Sequence, residues 1–155
     1  MTPLPPGRLA GIDFGTVRIG VAITDPGQTI ASPLDNYTRR SLPLDAQYFA
    51  RLTSEERIAA FVVGLPVHLS GDESAKSLEA RAFGAWLSQA TERPVFFHDE
   101  RYSSALAEDA LLQAGLSKKR RLERLDKLAA QMILTSFLEA KAAGRLDVHP
   151  AGLDS

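Results

Sequence analysis

Three carboxylates stand where the chain is otherwise apolar, and they are its strongest candidates for chemistry. Asp13 lies in the apolar run 9–14, Glu100 follows the run 95–99, and Asp126 precedes the apolar positions of a predicted helix. An unpaired, ionised carboxylate in such surroundings is heavily penalised. Mg²⁺ and Mn²⁺ take oxygen ligands, and clustered carboxylates repel one another without a cation. These residue types therefore indicate a divalent metal site.

Each carboxylate also has a plainer interpretation. Asp13 could cap the turn that follows it. Glu100 could form an ion pair with Arg101 or Arg18, and Asp126 could be a helix-start residue favoured by the helix dipole. From the residues alone, both interpretations stay open.

The composition excludes several other chemistries. The 155 residues include no cysteine, which rules out a disulfide scaffold, a thiolate metal site and a cysteine nucleophile. No run approaches the roughly 20 apolar residues that cross a bilayer, and the first residues lack the pattern of a secretory signal. We therefore expect no membrane partner and a cytoplasmic location.

Charge is balanced over the whole chain but not locally. Lys and Arg total 18 and Asp and Glu total 19, so the net charge of -1 gives no support for nucleic-acid binding. Between Lys118 and Lys127, however, six basic residues stand against two acidic ones. Such a segment can attract a polyanion. A solvated loop or helix face is the alternative.

The elements that must position these residues follow from turn signals and periodicity. Strands are predicted at 9–14, 18–24, 29–37, 58–64 and 95–99, and helices at 43–57, 74–90, 103–114 and 125–143. Short links make the first three strands an antiparallel meander. The continuous apolar strand at 58–64 indicates burial on both faces. The fold class is therefore α/β, with a mixed five-stranded sheet of three antiparallel and two parallel strands, flanked by helices.

The helical pattern also predicts which apolar side chains make contacts. In the first helix these are Leu44, Phe49 and Leu52, and in the second they are Ala75, Leu78, Ala82, Ala85 and Trp86. The buried face predicted for the last helix consists of Leu125, Leu128, Ala129, Met132 and Phe137.

We expect one domain. Residues 1–8 contain three prolines and a glycine and are interpreted as a disordered leader. Residues 9–146 form the single domain, and residues 147–155 form a frayed tail.

Four motifs, in order, carry a family resemblance. Gly11–Ala22 resembles the opening motif of the YqgF/RuvX family, and Val63–Pro66 with Gly71 resembles its second motif. Asp99–Ser104 resembles the third, and Asp126–Ala130 the fourth. These bacterial proteins are described as pre-16S rRNA nucleases and as Holliday junction resolvases with an RNase H-like fold.

The resemblance implies a two-metal nuclease. It assigns Asp13, Glu100 and Asp126 as the catalytic, metal-binding carboxylates, holding two Mg²⁺ or Mn²⁺ ions at one end of the sheet. One ion would activate the attacking water and the other would stabilise the leaving 3′-oxygen. The candidate nucleic-acid-binding residues are Arg18, Arg101, Lys118, Lys119, Arg120 and Arg121. Arg18 and Arg101 could clamp phosphate or simply neutralise a neighbouring carboxylate, and Lys118–Arg121 would be a mobile arm.

The sequence departs from the family pattern at a few positions without losing a carboxylate. Val17 replaces a lysine, His68 replaces an asparagine, and Tyr102–Ser104 replaces a Leu-Thr-Thr-like run. These changes affect substrate contacts. His98, within a strand, is predicted to be a packed, hydrogen-bonded residue, whereas His68 could reach phosphate. His149, in the tail, is given no role.

Two other classes of function compete with the nuclease. Asp13–Thr16 also resembles the phosphate loop of actin-like kinases, but 155 residues cannot supply the second lobe that closes over ATP. The stronger rival is a non-catalytic nucleic-acid-binding or transcription-elongation factor of the same fold. The three carboxylates favour the enzyme. Its implied substrates are the 5′ end of pre-16S rRNA and DNA that includes Holliday junctions; symmetric junction cutting would require a homodimer.

Overall fold

The computed structural model describes residues 3–66, 74–99 and 118–144, and of 118–126 only the backbone. Within these residues five strands and three helices form. The strands are β1 (Arg8–Asp13), β2 (Arg18–Thr24), β3 (Ala31–Thr38), β4 (Ile58–Leu65) and β5 (Val95–Asp99). The helices are α1 (Leu42–Glu55), α2 (Ala75–Thr91) and α3 (Lys118–Ala142). The helix predicted at 103–114 lies outside the described residues.

The strands form one mixed sheet in the order β3-β2-β1-β4-β5. β1 pairs antiparallel with β2, and β2 pairs antiparallel with β3. β4 pairs parallel with both β1 and β5. The predicted fold class, with its meander and two parallel strands, is confirmed.

Helices cover both faces of the sheet. α1 and α2 pack on one face, in a cluster that includes Ile12, Phe49 and Phe61. α3 packs on the other face, in a cluster that includes Leu9 and Phe137. Since successive strand residues point to opposite faces, β4 contributes to both clusters, which explains its unbroken apolar sequence.

Some of the apolar contacts predicted on α1 and α2 are wrong, since Leu44, Ala75, Leu78 and Ala82 are exposed. Leu44 is 43% exposed and Leu78 is 58% exposed. The buried face of α1 consists of Asp45, Phe49, Leu52 and Thr53, and that of α2 of Ser77, Ala80, Phe83, Gly84, Leu87 and Thr91. One residue along an α-helix corresponds to a rotation of about 100°. Leu44 and Leu78, each beside a buried residue, therefore miss the buried stripe.

The last helix begins earlier than predicted. α3 starts at Lys118 rather than near Leu125. Lys, Arg, Leu and Glu are all good helix formers, and neither Gly nor Pro interrupts residues 118–125. The backbone of Lys118–Arg121 is therefore the first turn of a helix, and the role of this segment as a mobile arm on nucleic acid stays a prediction.

The buried face of α3 differs in part from the predicted one. Leu128 and Met132 are only half-buried, because the helix presents a neighbouring stripe to the sheet. That stripe consists of Ala129, Ala130, Ile133, Leu134 and Phe137. The Leu125 side chain lies outside the description.

The chain before the sheet makes specific contacts from residue 4 onward. Leu4 packs against the α3 side of the core. Gln28 Nε2 donates hydrogen bonds to the carbonyl oxygens of Pro5 (2.8 Å) and Gly7 (2.9 Å). Arg8 is already part of β1. None of the helices in the described ranges has both the length and the apolar character needed to cross a membrane.

Candidate active site

The carboxyl ends of the parallel strands define one edge of the sheet. Asp13 is the last residue of β1, and Leu65 and Asp99, the last residues of β4 and β5, are paired with each other. Arg18 opens the antiparallel β2 at this same edge, where it pairs with Thr38. Loops above such an edge open over a rigid floor and commonly hold ligand sites.

Asp13 belongs to the face of the sheet that α3 covers. Along β1, Leu9 packs in the α3 cluster and Ile12 in the opposite one. Gly11, two residues before Asp13, lies so close to α3 that an added Cβ would come within 2.5 Å of Leu134 Cγ. Strand alternation therefore directs the half-buried Asp13 side chain to the α3 side.

A hydrogen bond places the Asp126 turn of α3 over the row of paired strand residues that contains Asp13. The backbone N–H of Lys127 donates to Asn36 Oδ1 at 2.8 Å. Asn36 pairs with Gly20, which pairs in turn with Asp13. The structure thus brings the Asp13 position and the backbone beside Asp126 to one face and one row. Because α3 begins at Lys118, Asp126 is in its third turn, and the helix-start interpretation no longer applies.

The other predicted site residues at this edge lie mostly beyond the description. Glu100, Arg101, His68 and the side chain of Asp126 are outside the described part, as is His149. Among the described side chains, no group of three His, Asp or Glu residues could hold a metal ion. Asp99 follows His98, whose ring faces α3, so alternation directs Asp99 to the opposite face from Asp13.

A buried carboxylate that the sequence reasoning missed stabilises the loop after β3. Asp45, with only 1% of its surface exposed, accepts hydrogen bonds from Tyr37 Oη (2.6 Å), the Arg40 N–H (2.9 Å) and Arg39 Nε (3.3 Å). Burial, the largest single influence, raises the pKa of Asp45, but these donors together lower it below 3.8. Asp45 therefore stays ionised.

Arg39 connects Asp45 to the loop that follows Asp13. Its guanidinium lies 5.3 Å from the centre of the Phe14 ring, a cation–π distance, and its backbone N–H donates to the Val17 carbonyl at 2.9 Å. Gly15 closes the turn, since an added Cβ would lie 2.4 Å from the Arg18 carbonyl oxygen. The loop between Asp13 and Arg18 is thus stabilised by the contacts of Arg39 and by the close turn at Gly15.

His98 is packed and hydrogen-bonded, as predicted. Its Nε2 lies 2.8 Å from Ser136 Oγ, and its ring meets Phe137 edge-on with centroids 5.7 Å apart. Burial lowers the pKa of His98 below 6.5, opposed by the charge of Asp99. The contacts are those of a residue joining β5 to α3.

The structure describes the predicted nucleic-acid-binding residues at two places, the start of β2 and the start of α3. Arg18 is exposed at the edge of the sheet beside Asp13. Lys118, Lys119, Arg120 and Arg121 form the first turn of α3, which contains no acidic residue. Cations at a helix N-terminus oppose the helix dipole. Helix stability therefore does not account for this cluster.

Comparison with known proteins agrees with the motifs. The family model described as "RuvX: Holliday junction resolvase" matches residues 7–140. A Rhodopirellula baltica protein named "Putative pre-16S rRNA nuclease" is 50% identical over 92% of this chain and 83% of its own length. A protein of the same name from Rhodobacter capsulatus is 43% identical over 88% of this chain and 86% of its own.

Solved structures share the fold at low sequence identity. T. thermophilus RuvC in complex with a Holliday junction substrate superposes with a TM-score of 0.55 at 17% identity, over 93% of this chain and 99% of that one. The fowlpox virus Holliday junction resolvase gives 0.52 at 12% identity, over 86% and 99%. These likenesses show an RNase H-like fold. With the family match covering most of the sequence, the chain belongs to the RuvX family.

Proposed function

We propose that this protein is a metal-dependent nuclease that hydrolyses phosphodiester bonds of structured nucleic acid. Its proposed main reaction is processing of the 5′ end of pre-16S rRNA in the cytoplasm, with DNA, including Holliday junctions, as a further substrate. The observation that carries the proposal is the placement of Asp13 and the Asp126 turn on one face and row of the sheet. Relatives named as nucleases support the choice of reaction.

The proposed metal ligands are Asp13, Glu100 and Asp126. Their donors are all carboxylate oxygens, which suit Mg²⁺ or Mn²⁺ and exclude a zinc site of the His/Cys type. Two bound cations would supply an activated water and stabilisation of the leaving 3′-oxygen. The fold supports two of these positions, because Asp13 ends a buried strand and the backbone of Asp126 belongs to a helix packed against that strand.

The proposed substrate contacts surround this edge. Arg18, at the start of β2, and Arg101, just after Glu100, would bind phosphates beside the metal ligands. Lys118–Arg121, at the N-terminus of α3, would bind nucleic-acid phosphates farther from the metal ligands.

The first test is the Asp13→Asn variant. We expect wild-type protein to cleave labelled RNA carrying the pre-16S 5′ leader with Mg²⁺ or Mn²⁺, and not in excess EDTA. Asp13→Asn should lower this cleavage by roughly 100-fold or more, because a ligand is lost. Without metal its melting temperature should be unchanged or higher, since repulsion among the carboxylates is relieved.

Glu55→Gln is the matched control, with the same loss of charge at an exposed position at the end of α1. It should cleave like wild type. Cleavage that persists in EDTA, or in Asp13→Asn, would overturn the proposed mechanism. Metal-independent binding with no cleavage of RNA, single-stranded DNA or four-way junctions would instead favour the non-catalytic binding factor. Symmetric junction cutting by a dimer would identify DNA as a substrate.

A further inference from the structure

Asn36 contacts α3 at a backbone position where no side-chain partner is expected. An N–H group beyond the first turn of an α-helix normally finds its acceptor four residues earlier in the same helix. Lys127 is nine residues past the start of α3, yet its N–H donates at 2.8 Å to Asn36 Oδ1, 91 residues earlier in the chain. Asparagine oxygens accept such bonds at helix N-termini, from the second or third residue. Asn36 thus resembles an N-cap supplied by another strand.

The two halves of α3 on either side of this contact differ in sequence. From Ala129 onward the helix buries a stripe against the sheet, which includes Ile133 and Phe137. Residues 118–121 are four consecutive cations without an acidic residue in the first turn, an arrangement that the helix dipole disfavours. The Asn36 contact lies between the disfavoured basic half and the buried half.

Asn36 is itself fixed by its neighbours on β3. Asp35 accepts a hydrogen bond from Tyr48 Oη at 2.7 Å, and Tyr37 Oη donates to Asp45 at 2.6 Å. Both contacts are with α1, on the opposite face of the sheet from α3. The side chain between them points toward α3 from a strand that α1 holds in place.

We propose that Asn36 is a positioning residue for the nuclease site. It caps α3 from outside and keeps the Asp126 turn over the row of Asp13, independently of the basic half of the helix. Asn36 itself lies two strands from Asp13, about 9.5 Å away. This inference rests on the proposed function for its catalytic consequence. The anchoring contact itself does not depend on it.

The experiment compares three variants by kinetics. Asn36→Ala removes the acceptor, Asn36→Asp keeps one, and Gln131→Ala removes another α3–β3 hydrogen bond, from Gln131 Nε2 to the Ala31 carbonyl at 3.1 Å. We expect Asn36→Ala to lower kcat about tenfold and to raise the Mn²⁺ concentration for half-maximal rate, because small displacements of catalytic groups are costly. KM for RNA, and RNA affinity in Ca²⁺, should not change. Asn36→Asp should recover most of the rate, and Gln131→Ala should retain it.

Amide hydrogen exchange on the metal-free protein tests the anchor without catalysis. The Lys127 amide should exchange faster in Asn36→Ala while the Ile133 and Leu134 amides keep their protection. Unchanged exchange at Lys127 would overturn the anchor. Faster exchange with unchanged kcat, or equal losses of kcat in Asn36→Ala and Gln131→Ala, would overturn the positioning role. If wild type cleaves nothing, the proposed function and the positioning role fail, and exchange still decides the anchor.

Discussion

At the scale of single residues, Asp45 shows how donors of the protein itself can satisfy a buried carboxylate. Three protein donors, from Tyr37, Arg39 and Arg40, satisfy it. Leaving those donors unpaired in the interior would cost more than the net gain from making the bonds. Asp45 is thus a structural acid, in contrast to the metal-ligand role proposed for Asp13.

We predict that Asp45→Asn destabilises the protein by about 2 kcal/mol at neutral pH. The amide NH₂ group of asparagine would face groups that now donate hydrogen bonds to the carboxylate. The folded-state pKa of Asp45 lies below its ordinary value of 3.8. Its ionisation therefore stabilises the fold fully above that value, and the stabilisation is lost as pH falls toward the folded pKa. Urea unfolding at a series of pH values should show the gap between wild type and variant narrowing below about pH 4. A gap independent of pH, or one matched by Glu55→Gln, would contradict this.

The sequence located some site residues and not others for a physical reason. Asp13 and Arg18 could be placed at one edge because they end and begin adjacent strands, which is a local pattern. Asn36 could not be found, because its contact joins residues 91 positions apart. A signal did exist for Asp45, which shares the helical stripe of Phe49 and Leu52.

At the scale of elements, the packing of α3 on β1 depends on a glycine. An added Cβ at Gly11 would lie 2.5 Å from Leu134 Cγ and 2.9 Å from the Ala130 carbonyl oxygen. The carbonyl belongs to the helix backbone and cannot rotate away. The helix that carries Asp126 therefore packs at a distance that only glycine permits.

We predict that Gly11→Ala lowers the free energy of unfolding by roughly 1–3 kcal/mol, the usual cost of overpacking. It should also weaken Mn²⁺ activation of cleavage, because α3 must move away from β1. Gly84→Ala is the control: its Cβ would lie 2.6 Å from Phe97 Cζ, on the face away from α3. Unfolding and Mn²⁺ titrations should show a loss of stability in both variants and a metal effect only in Gly11→Ala. An equal metal effect in both would argue against the role of α3.

The ends of helices and strands could be predicted where the residue types change from strand or helix formers to turn residues. β2 has the predicted bounds, because turn residues flank it on both sides. The start of α3 was missed by seven residues, since good helix formers precede the expected start and no residue type marks it.

At the scale of the whole molecule, a net charge of -1 coexists with a cationic helix end. Replacing Lys118, Lys119, Arg120 and Arg121 with Ala should weaken binding about equally for all sequences of one nucleic acid, because phosphate contacts carry no sequence information. Each lost phosphate contact should reduce the salt slope by roughly one unit or slightly less. Alanine is the best helix former, so circular dichroism should show α3 retained.

Binding titrations over a range of salt concentrations measure these slopes. A variant with Arg51 and Arg57 replaced by Ala should keep the wild-type slope, since both side chains are exposed on or just after α1, away from the carboxyl ends of the parallel strands. If the variant of Lys118–Arg121 has the same salt slope as wild type, the segment is a solvated surface that does not contact phosphates.

The two positions brought to one row, Asp13 and Asp126, come from opposite ends of the described chain. Of the described elements, β1 is the first to be synthesised and α3 the last. A nascent chain therefore presents Asp13 long before Asp126 exists, and the sheet face of Leu9, Ala22 and Phe96 stays uncovered until α3 docks. Chains interrupted before α3 would lack an assembled site and expose an apolar surface that favours aggregation. For the proposed nuclease, catalytic competence would thereby be coupled to completion of the fold.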